Sequence, residues 1–309
     1  MIRKLLLYAI ALTILLASCT GNEKKNLPND ALSSLSSLIP VVKKSSLSGK
    51  SFSFSGEWRI DVVSDSVVYN SLKDGLQGLI VSGRISLNEK AGSAIRFILK
   101  PGSVDVDQGI DTNKTSLEEQ AYQLQLAPKE ITITANAAQG LYYGVQTFLQ
   151  LIQSQKGDIS LPEGEIRDWP DLSLRMIYWD DAHHLEKFGA LKRIILQASH
   201  YKINAFALKL EGHFQYSSAP AIIEPYALSP QQYQELTDFA RAHFVELVPY
   251  LDAPAHISFI LKHPEYSGIR LYPNNNYELS VIDPGSVTLM KNMFGDLLDA
   301  NKGGECVML

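Results

Sequence analysis

Hydrophobic and polar positions alternate along much of the chain between residues 51 and 167. Two runs show the alternation most clearly, with apolar side chains at Ile95, Phe97 and Leu99 and at Tyr122, Leu124 and Leu126. The run 130–136 repeats it. A period of two residues is typical of strands with one buried face, because successive side chains point to opposite sides of a sheet. The region is therefore predicted to contain several half-buried strands.

One stretch of this region follows a helical period instead. Within residues 137–153, apolar side chains recur three or four positions apart, at Leu141, Val145, Phe148, Leu149 and Ile152. That spacing places them on one face of an α-helix. Strands combined with one clear helix predict an α+β domain over residues 51–167.

From residue 168 onwards, short apolar runs alternate with amphipathic helical patterns. The runs cover residues 175–179, 203–210, 245–251 and 305–309. This βαβαβαβ order predicts a parallel sheet or a barrel. Polar residues follow each of the first three strands and no glycine-rich phosphate loop follows the first, which favours a barrel with its chemistry on that rim.

The predicted fold class is therefore α/β, with an α+β N-terminal domain followed by the first half of a TIM (β/α)8 barrel. A complete barrel takes about 250 residues. Residues 168–309 are too few for the eight strands and eight helices of a complete barrel, so they are expected to form an incomplete TIM-barrel domain.

Residues 1–19 have the layout of a signal peptide. Two basic residues precede the apolar run 5–16, and two small residues then lead to Cys19. About twelve apolar residues are too few to cross a bilayer as a helix, which needs roughly 20. The segment is expected to be removed on export. Residues 20–50, which are polar and rich in Ser, Lys and Asn, are predicted to form a tether.

Composition argues against several classes of partner. The net charge of −5 is spread evenly and gives no basic surface for nucleic acid. Cys19 lies at the end of the predicted signal peptide, and Cys306 is the only other cysteine. No disulfide is therefore expected within the mature chain. Asp181, His183 and His213 suggest a metal cluster, but no two histidines lie at positions i and i+4 of a predicted helix. No metal and no other cofactor is expected.

The end of the signal peptide resembles the lipobox of bacterial lipoproteins, on Leu16-Ala17-Ser18-Cys19. In such proteins, cleavage leaves the cysteine at the new N-terminus carrying acyl chains. The resemblance implies an exported chain that is anchored to a bacterial membrane by lipid on Cys19, at the periplasmic or the cell-surface face. The alternative is an ordinary signal peptide with an unmodified cysteine.

Three stretches resemble the family-20 glycoside hydrolases, the β-N-acetylhexosaminidases. Residues 121–152 are similar to the end of the family's N-terminal domain, where a strand hairpin leads into a helix. Residues 166–184 are similar to the entry into the catalytic barrel. Residues 233–256 are similar to the segment of the third barrel strand, with the family's Asp-x-Pro-Gly-His signature present as Asp252-Ala-Pro-Ala-His256.

The resemblance implies a set of substrate-binding residues at the first barrel strand. Arg175 matches the family's arginine that grips hydroxyls of the terminal sugar, and its planar fork of donors suits paired hydroxyls. Asp180 and His184 follow it at the family's spacing. The alternative for Arg175 is a structural salt bridge at the domain junction.

Three further residues belong to the later strand ends. Asp252 and His256 match a supporting charge network, or else cap a turn around Pro254. Glu211 stands where an acidic partner of His256 is expected and is counted among the substrate-binding residues. Its alternative is a solvated loop carboxylate.

The resemblance also implies an activity, namely removal of terminal N-acetyl-hexosamine from an oligosaccharide or glycoconjugate with retention at the anomeric carbon. The substrate's acetamido oxygen attacks, an Asp orients it, and the next residue, a Glu, protonates the leaving oxygen. That Asp-Glu pair follows the fourth strand, and Glu305 is expected at the start of this strand. The chain contains no Asp-Glu dipeptide. It is therefore expected to stop within the barrel, before the pair, and to be inactive.

Two other functions remain open at this point. One is a non-catalytic, glycan-binding surface lipoprotein. The other is a different barrel glycosidase, such as an α-glucuronidase.

Overall fold

The computed structural model describes residues 35–61, 66–153 and 157–308. The predicted signal peptide and Cys19 lie outside these residues. Within them, a seven-stranded sheet is followed along the chain by a three-stranded one. None of the described helices combines the length and the apolar character that crossing a membrane requires.

The first sheet is mixed, with strand order β1-β7-β5-β6-β4-β2-β3. Neighbours from β1 to β6 run antiparallel, and neighbours from β6 to β3 run parallel. The strands are β1 (Lys44–Ser53), β2 (Gly56–Asp61), β3 (Ile85–Leu87), β4 (Ser93–Leu99), β5 (Tyr122–Ala127), β6 (Glu130–Ala135) and β7 (Ser160–Asp168). The alternation predicted for β5 is confirmed, since Tyr122, Leu124 and Leu126 are buried. In β4, Ile95 and Phe97 are buried but Leu99, at the strand end, is partly exposed.

The helices of this domain are α1 (Ser66–Val81), α2 (Lys114–Glu119) and α3 (Ala138–Gln153). The predicted helix α3 is buried along almost its whole length. Two glycines let the helix lie close to the sheet. A Cβ on Gly140 would come within 2.4 Å of the Ala121 carbonyl oxygen, and a Cβ on Gly144 within 2.5 Å of the Ile133 side chain. The sequence pattern missed α1, which packs on α3 and whose apolar period is interrupted by Gly75 and Gly78.

Strand β1 corrects the predicted tether over residues 20–50. It begins at Lys44 and pairs antiparallel with β7. Most of its side chains are exposed at the sheet edge, so the run is polar and lacks an apolar alternation that would reveal a strand. The tether prediction is therefore wrong for residues 44–50.

The second sheet consists of three parallel strands, β8 (Met176–Asp180), β9 (Ala205–Lys209) and β10 (Glu246–Tyr250), with β9 in the middle. The helices along this part of the chain are α4 (Phe188–His200), α5 (Pro230–Arg241), α6 (Ser258–Leu261) and α7 (Pro284–Asp299). One sheet face and these helices enclose a core that includes Phe206, Leu191 and Met293. The predicted alternation of parallel strands and helices is confirmed.

Residues near the C-terminal end of the described chain add a fourth parallel position beside β10. Met308 forms a parallel bridge with Tyr250, and its N–H donates to the Pro249 carbonyl at 2.9 Å. The backbone N–H of Glu305 donates to the side chain of Glu246, the first residue of β10. Glu305 therefore lies at the amino-terminal edge of the sheet, as predicted.

Candidate functional site

The three parallel strands bring their last residues to one edge of the second sheet. Asp180, Lys209 and Tyr250 end β8, β9 and β10 and are register partners across the sheet. Glu211 and Asp252 each follow two residues after the end of a strand. These five residues, called the strand-end cluster below, occupy the edge at which barrel enzymes carry their chemistry.

Lys209 joins two carboxylates of this cluster. Its Nζ lies 2.9 Å from Glu211 Oε1 and 2.7 Å from Asp252 Oδ2, and the three side chains are only 9%, 17% and 10% exposed. Burial alone would lower the pKa of Lys209, but its bonds with Asp252 and Glu211 outweigh burial and raise it. Lys209 therefore carries its charge at neutral pH.

Tyr250 completes the polar contacts of Asp252. Its hydroxyl donates to Asp252 Oδ1 at 2.6 Å, and this bond, together with burial, raises the pKa of Tyr250 to about 12. The phenol therefore stays protonated and acts as a donor. Both oxygens of Asp252 are thus engaged by groups at the ends of neighbouring strands.

Asp180 is held by the loop that follows β8. His183 Nδ1 lies 2.8 Å from Asp180 Oδ2, and the His183 backbone N–H donates to Asp180 Oδ1 at 3.2 Å. Burial opposes ionisation, but these bonds outweigh it and lower the pKa of Asp180. His184 is exposed and takes no part in these bonds. Its predicted role in sugar binding stays a prediction.

The predicted pairing of His256 with acidic residues is wrong. Its Nε2 lies 2.8 Å from the Tyr277 hydroxyl, and the two rings are 4.7 Å apart. Glu211 and Asp252 are bound to Lys209 instead. The physical reason is that a buried lysine supplies the positive charge that the sequence pattern assigned to the imidazole.

Arg175 lies at the opposite edge of the sheet, directly before β8. Its Nε donates to the Lys202 carbonyl at 2.8 Å, Nη1 to the Leu172 carbonyl at 2.7 Å and Nη2 to the Tyr143 hydroxyl at 3.2 Å. The guanidinium is therefore used in joining the two domains. This geometry corrects the prediction that Arg175 binds sugar together with Asp180. It agrees with a structural role at the domain junction, but the partners are neutral carbonyl and hydroxyl groups rather than the salt bridge of the alternative.

A buried ion pair lies beside Arg175 at the domain junction. Lys202 Nζ is 2.8 Å from Asp168 Oδ2, with side chains 7% and 8% exposed. The Tyr122 hydroxyl accepts from Lys202 at 2.8 Å and donates to the same Asp168 oxygen at 2.8 Å. Burial lowers the pKa of Lys202 and raises that of Tyr122. These three residues are called the junction triad below.

Asp181 differs from its neighbour Asp180 in being fully buried. Its Oδ1 accepts from the Glu186 backbone N–H at 2.9 Å, whereas Oδ2 has no hydrogen-bond partner among the described residues. Burial raises the pKa of Asp181 from 3.8 to about 6. At neutral pH, the folded protein therefore contains a carboxylate whose ionisation costs stability.

We expect Asp181→Asn to stabilise the fold above pH 6. Because the folded state binds this proton more tightly than the unfolded chain, wild-type stability falls as pH rises from about 4 to about 6, and the variant lacks this loss. The gain is at most about 3 kcal/mol, at about 1.4 kcal/mol per pKa unit. Urea unfolding at several pH values measures it. A stability difference between the two proteins that is the same at pH 4 and pH 7.5 would contradict the assignment.

The side chains of the three residues that suggest a metal cluster in the sequence do not form one group, although His213 Nδ1 lies 3.1 Å from the Asp181 carbonyl. His183 faces Asp180, whereas His213 Nε2 lies 3.4 Å from Glu224 Oε2. Across the described parts of the chain, no three His, Cys, Asp or Glu residues are grouped closely enough to hold a metal ion.

Sequence reasoning missed two residues of this site, Tyr250 and Lys209, and of the two Lys209 has the clearer signal. Its signal is a single charged residue at the end of an otherwise apolar strand, "AFALK". A buried lysine at such a position needs acidic partners. Glu211, two residues later, is the first of them in the sequence.

The sequence is similar to proteins of one family of glycoside hydrolases. Residues 35–169 match the family model described as glycosyl hydrolase family 20, domain 2. The beta-hexosaminidase of Vibrio furnissii is 26% identical over 211 residues, which are 56% of this chain and 34% of that protein. The N,N'-diacetylchitobiase of Vibrio harveyi is 26% identical over 234 residues, covering 65% of this chain and 26% of that protein.

Solved structures extend the likeness to both domains. The family-20 β-N-acetylhexosaminidase of Streptomyces coelicolor A3(2) superposes with a TM-score of 0.69 over 88% of this chain and 59% of its own, at 22% identity. At this identity the superposition shows the fold, and it identifies β8 to β10 as strands of a barrel. The chain spans about a third or less of the two curated relatives. Taken together, these findings show that residues 35–169 match a domain of glycosyl hydrolase family 20 and that the chain is similar in fold to a member of that family over both domains.

Proposed function

We propose that this chain carries the sugar-recognition edge of a β-N-acetylhexosaminidase acting on terminal N-acetyl-hexosamine of glycans. The observation that carries the proposal is the strand-end cluster, in which Asp180, Lys209, Glu211 and Asp252 share one edge of the barrel sheet. Two similarities to known proteins support it: residues 35–169 match domain 2 of glycosyl hydrolase family 20, and the chain is 26% identical over 211 residues to a protein named beta-hexosaminidase.

The cluster offers the kinds of group that a sugar ring binds. Sugar hydroxyls both donate and accept, so they match carboxylate oxygens of Asp180 and Glu211 as well as the ammonium of Lys209. Tyr178, 46% exposed, lies on the same side of the sheet with its ring 5.3 Å from that of Tyr250. An exposed aromatic face of this kind packs against the C–H face of a sugar.

The proposed chemistry is retaining and substrate-assisted, with the acetamido oxygen as nucleophile and an Asp-Glu pair that orients it and protonates the leaving group. The 309 residues contain no Asp-Glu dipeptide. Asp180, Glu211 and Asp252 are separated in sequence and tied to His183 or Lys209, so none is assigned as the general acid. The strand-end cluster is therefore proposed to bind the sugar, with none of its residues protonating the leaving group.

The 309-residue chain is expected to bind N-acetylglucosamine and to release no chromophore from a chromogenic N-acetylglucosaminide. Isothermal titration measures binding, with glucose as the control that lacks the acetamido group. Glucuronic acid as a second ligand tests the α-glucuronidase alternative. Turnover of the chromogenic substrate would contradict the assignment of the general acid, and equal affinity for glucose would contradict the substrate class.

A non-catalytic glycan-binding lipoprotein is the second candidate, and the same titration bears on it. It is favoured if the chain binds oligosaccharides but shows no preference for an N-acetyl-hexosamine at the terminal position.

We further propose that lipid on Cys19 anchors the exported chain to a bacterial membrane. The support is the apolar run 5–16 followed by small residues and a cysteine. Metabolic labelling with a fatty acid is expected to label the wild type and not Cys19→Ala. Equal labelling of both proteins, or none of either, would contradict lipidation at this residue.

A further inference from the structure

A cleft of about 580 Å³ lies between the two domains, away from the strand-end cluster. Helices α1 and α3 form one wall, and α4 and α5 with the residues that follow them form the other. Its two histidines, His200 and His243, lie at the ends of the helices that lead into the amino-terminal edges of β9 and β10. This interdomain cleft therefore lies toward the end of the sheet opposite the strand-end cluster.

The hydrogen bonds of the two histidines define their tautomers. His243 Nδ1 lies 2.7 Å from the Phe239 carbonyl, and His200 Nδ1 lies 3.0 Å from Gln146 Oε1. A carbonyl oxygen only accepts, so each Nδ1 carries the hydrogen and each Nε2 is left as an acceptor in the neutral ring. Burial, together with Lys202, lowers the pKa of His200, which keeps that ring neutral at pH 7.

Gln146 is fixed in the orientation that this arrangement needs. While its Oε1 accepts from His200, its Nε2 donates to Ser71 Oγ at 3.0 Å. The wall of the cleft is thereby held by a chain of hydrogen bonds from α1 through α3 to α4. Such a preorganised wall loses little conformational freedom when a ligand binds.

Other side chains lining the cleft supply donors and acceptors that are not committed to the fold. Arg193 donates once, from Nη1 to the Gly189 carbonyl at 3.0 Å, and its guanidinium has further N–H groups. Gln153 and Gln197 are exposed amides, each able to donate and accept. Asp74 adds a carboxylate whose charge balances that of Arg193. The cleft is thus rich in hydrogen-bonding groups and carries no net charge.

Apolar groups form the rest of the lining, among them Leu149, Leu196 and Phe239. Neutral donors and acceptors around apolar surface are what a sugar ring requires, since its hydroxyls lie at the rim and its C–H groups form the faces. The volume is within the range of small-molecule sites, which favour domain interfaces. We propose that the interdomain cleft is a second carbohydrate site, which binds a neutral mono- or disaccharide and performs no chemistry.

Other ligand classes fit the cleft less well. A phosphorylated ligand needs an excess of cationic donors, and Arg193 is balanced by Asp74. A metal ion needs more ligands than the lining supplies, because the described residues hold no group of three suitable side chains. A purely apolar ligand would leave the amides of Gln153 and Gln197 without partners.

The test uses N,N'-diacetylchitobiose as probe in isothermal titration of the whole chain. In a Lys209→Met background, in which the strand-end cluster is disrupted, binding to the cleft is expected to persist. Adding Arg193→Ala and Gln197→Ala is expected to weaken it about tenfold, because each substitution removes hydrogen bonds to the sugar. The matched control is Arg84→Ala with Gln77→Ala, two exposed residues of the same types outside the cleft.

Two outcomes separate this site from the proposed function. Binding that is lost in Lys209→Met but unchanged by the two cleft substitutions would overturn the second site and leave the strand-end site standing. Binding that survives Lys209→Met and is weakened by the cleft substitutions supports the second site, regardless of the result for the strand-end cluster. If Lys209→Met fails to fold, the cleft substitutions in the wild type are expected to weaken one of two binding events per chain about tenfold, and two unchanged affinities would overturn the site.

Discussion

Replacing Lys202 with methionine is expected to lower the free energy of unfolding by about 3–5 kcal/mol. The substitution removes the cation of the junction triad and leaves Asp168 buried with a single remaining donor side chain, Tyr122. An ionised carboxylate in that position has lost its compensating charge, and such a loss costs more than the ion pair itself contributes. Urea unfolding at pH 7 measures the change.

A surface ion pair of the same type provides the control. Lys192 Nζ lies 2.6 Å from Glu235 Oε1, but the side chains are 27% and 58% exposed. Lys192→Met is therefore expected to cost no more than about 1 kcal/mol. Adding Asp168→Asn to Lys202→Met should recover part of the loss, because a neutral amide needs no counter-charge. Equal losses from the two lysine substitutions would show that the junction triad is not a buried charge pair.

Much of the second domain could be predicted from sequence because its signals are local. Each parallel strand is a short apolar run such as "AFALK", and the helix between β9 and β10 begins with a Ser229 cap and Pro230. In the first domain, the exposed edge strand β1 offers no such signal. Its strand character comes from pairing with β7, more than a hundred residues away, and a local pattern does not contain that information.

The candidate site could be predicted in outline for a related reason. Parallel strands place their carboxyl ends together, so the order of strands and helices is enough to assign Asp180, Glu211 and Asp252 to one edge. The partners of these carboxylates depend on which side chain fills the space between them. The sequence pattern assigns that place to His256, but Lys209 occupies it.

Arg175 illustrates the limit of matching residues to a family motif. Its spacing from Asp180 agrees with the motif, yet five residues of extended strand place the two at opposite ends of β8. The direction of its side chain decides which groups Arg175 contacts. The guanidinium of Arg175 is directed to carbonyl groups and to Tyr143 at the domain junction, where it stabilises the contact between the domains.

Lys209→Met is expected to weaken binding of N-acetylglucosamine by about tenfold to a hundredfold. Lys209 holds Glu211 and Asp252 in place, and hydrogen bonds to charged groups contribute about 1.5–3 kcal/mol. Without the ammonium group, two poorly exposed carboxylates lose their shared counter-charge, which favours uptake of a proton by one of them. Titration calorimetry between pH 5 and 9 measures both effects.

The pH dependence separates a positioning role of Lys209 from a merely structural one. Because the folded state raises the pKa of Lys209, its ion pairs persist throughout this range and are lost only as pH rises above about 10.5. Lys209 should therefore add no pH dependence to wild-type affinity between pH 5 and 9, whereas the variant should lose affinity as pH falls and a carboxylate protonates. Lys209→Arg should restore much of the affinity.

The control is Lys262→Met, which removes an exposed ion pair with Glu224 in the same domain. If Lys262→Met weakens binding as much as Lys209→Met, or if the variant's affinity has the wild-type pH profile, Lys209 does not position the site.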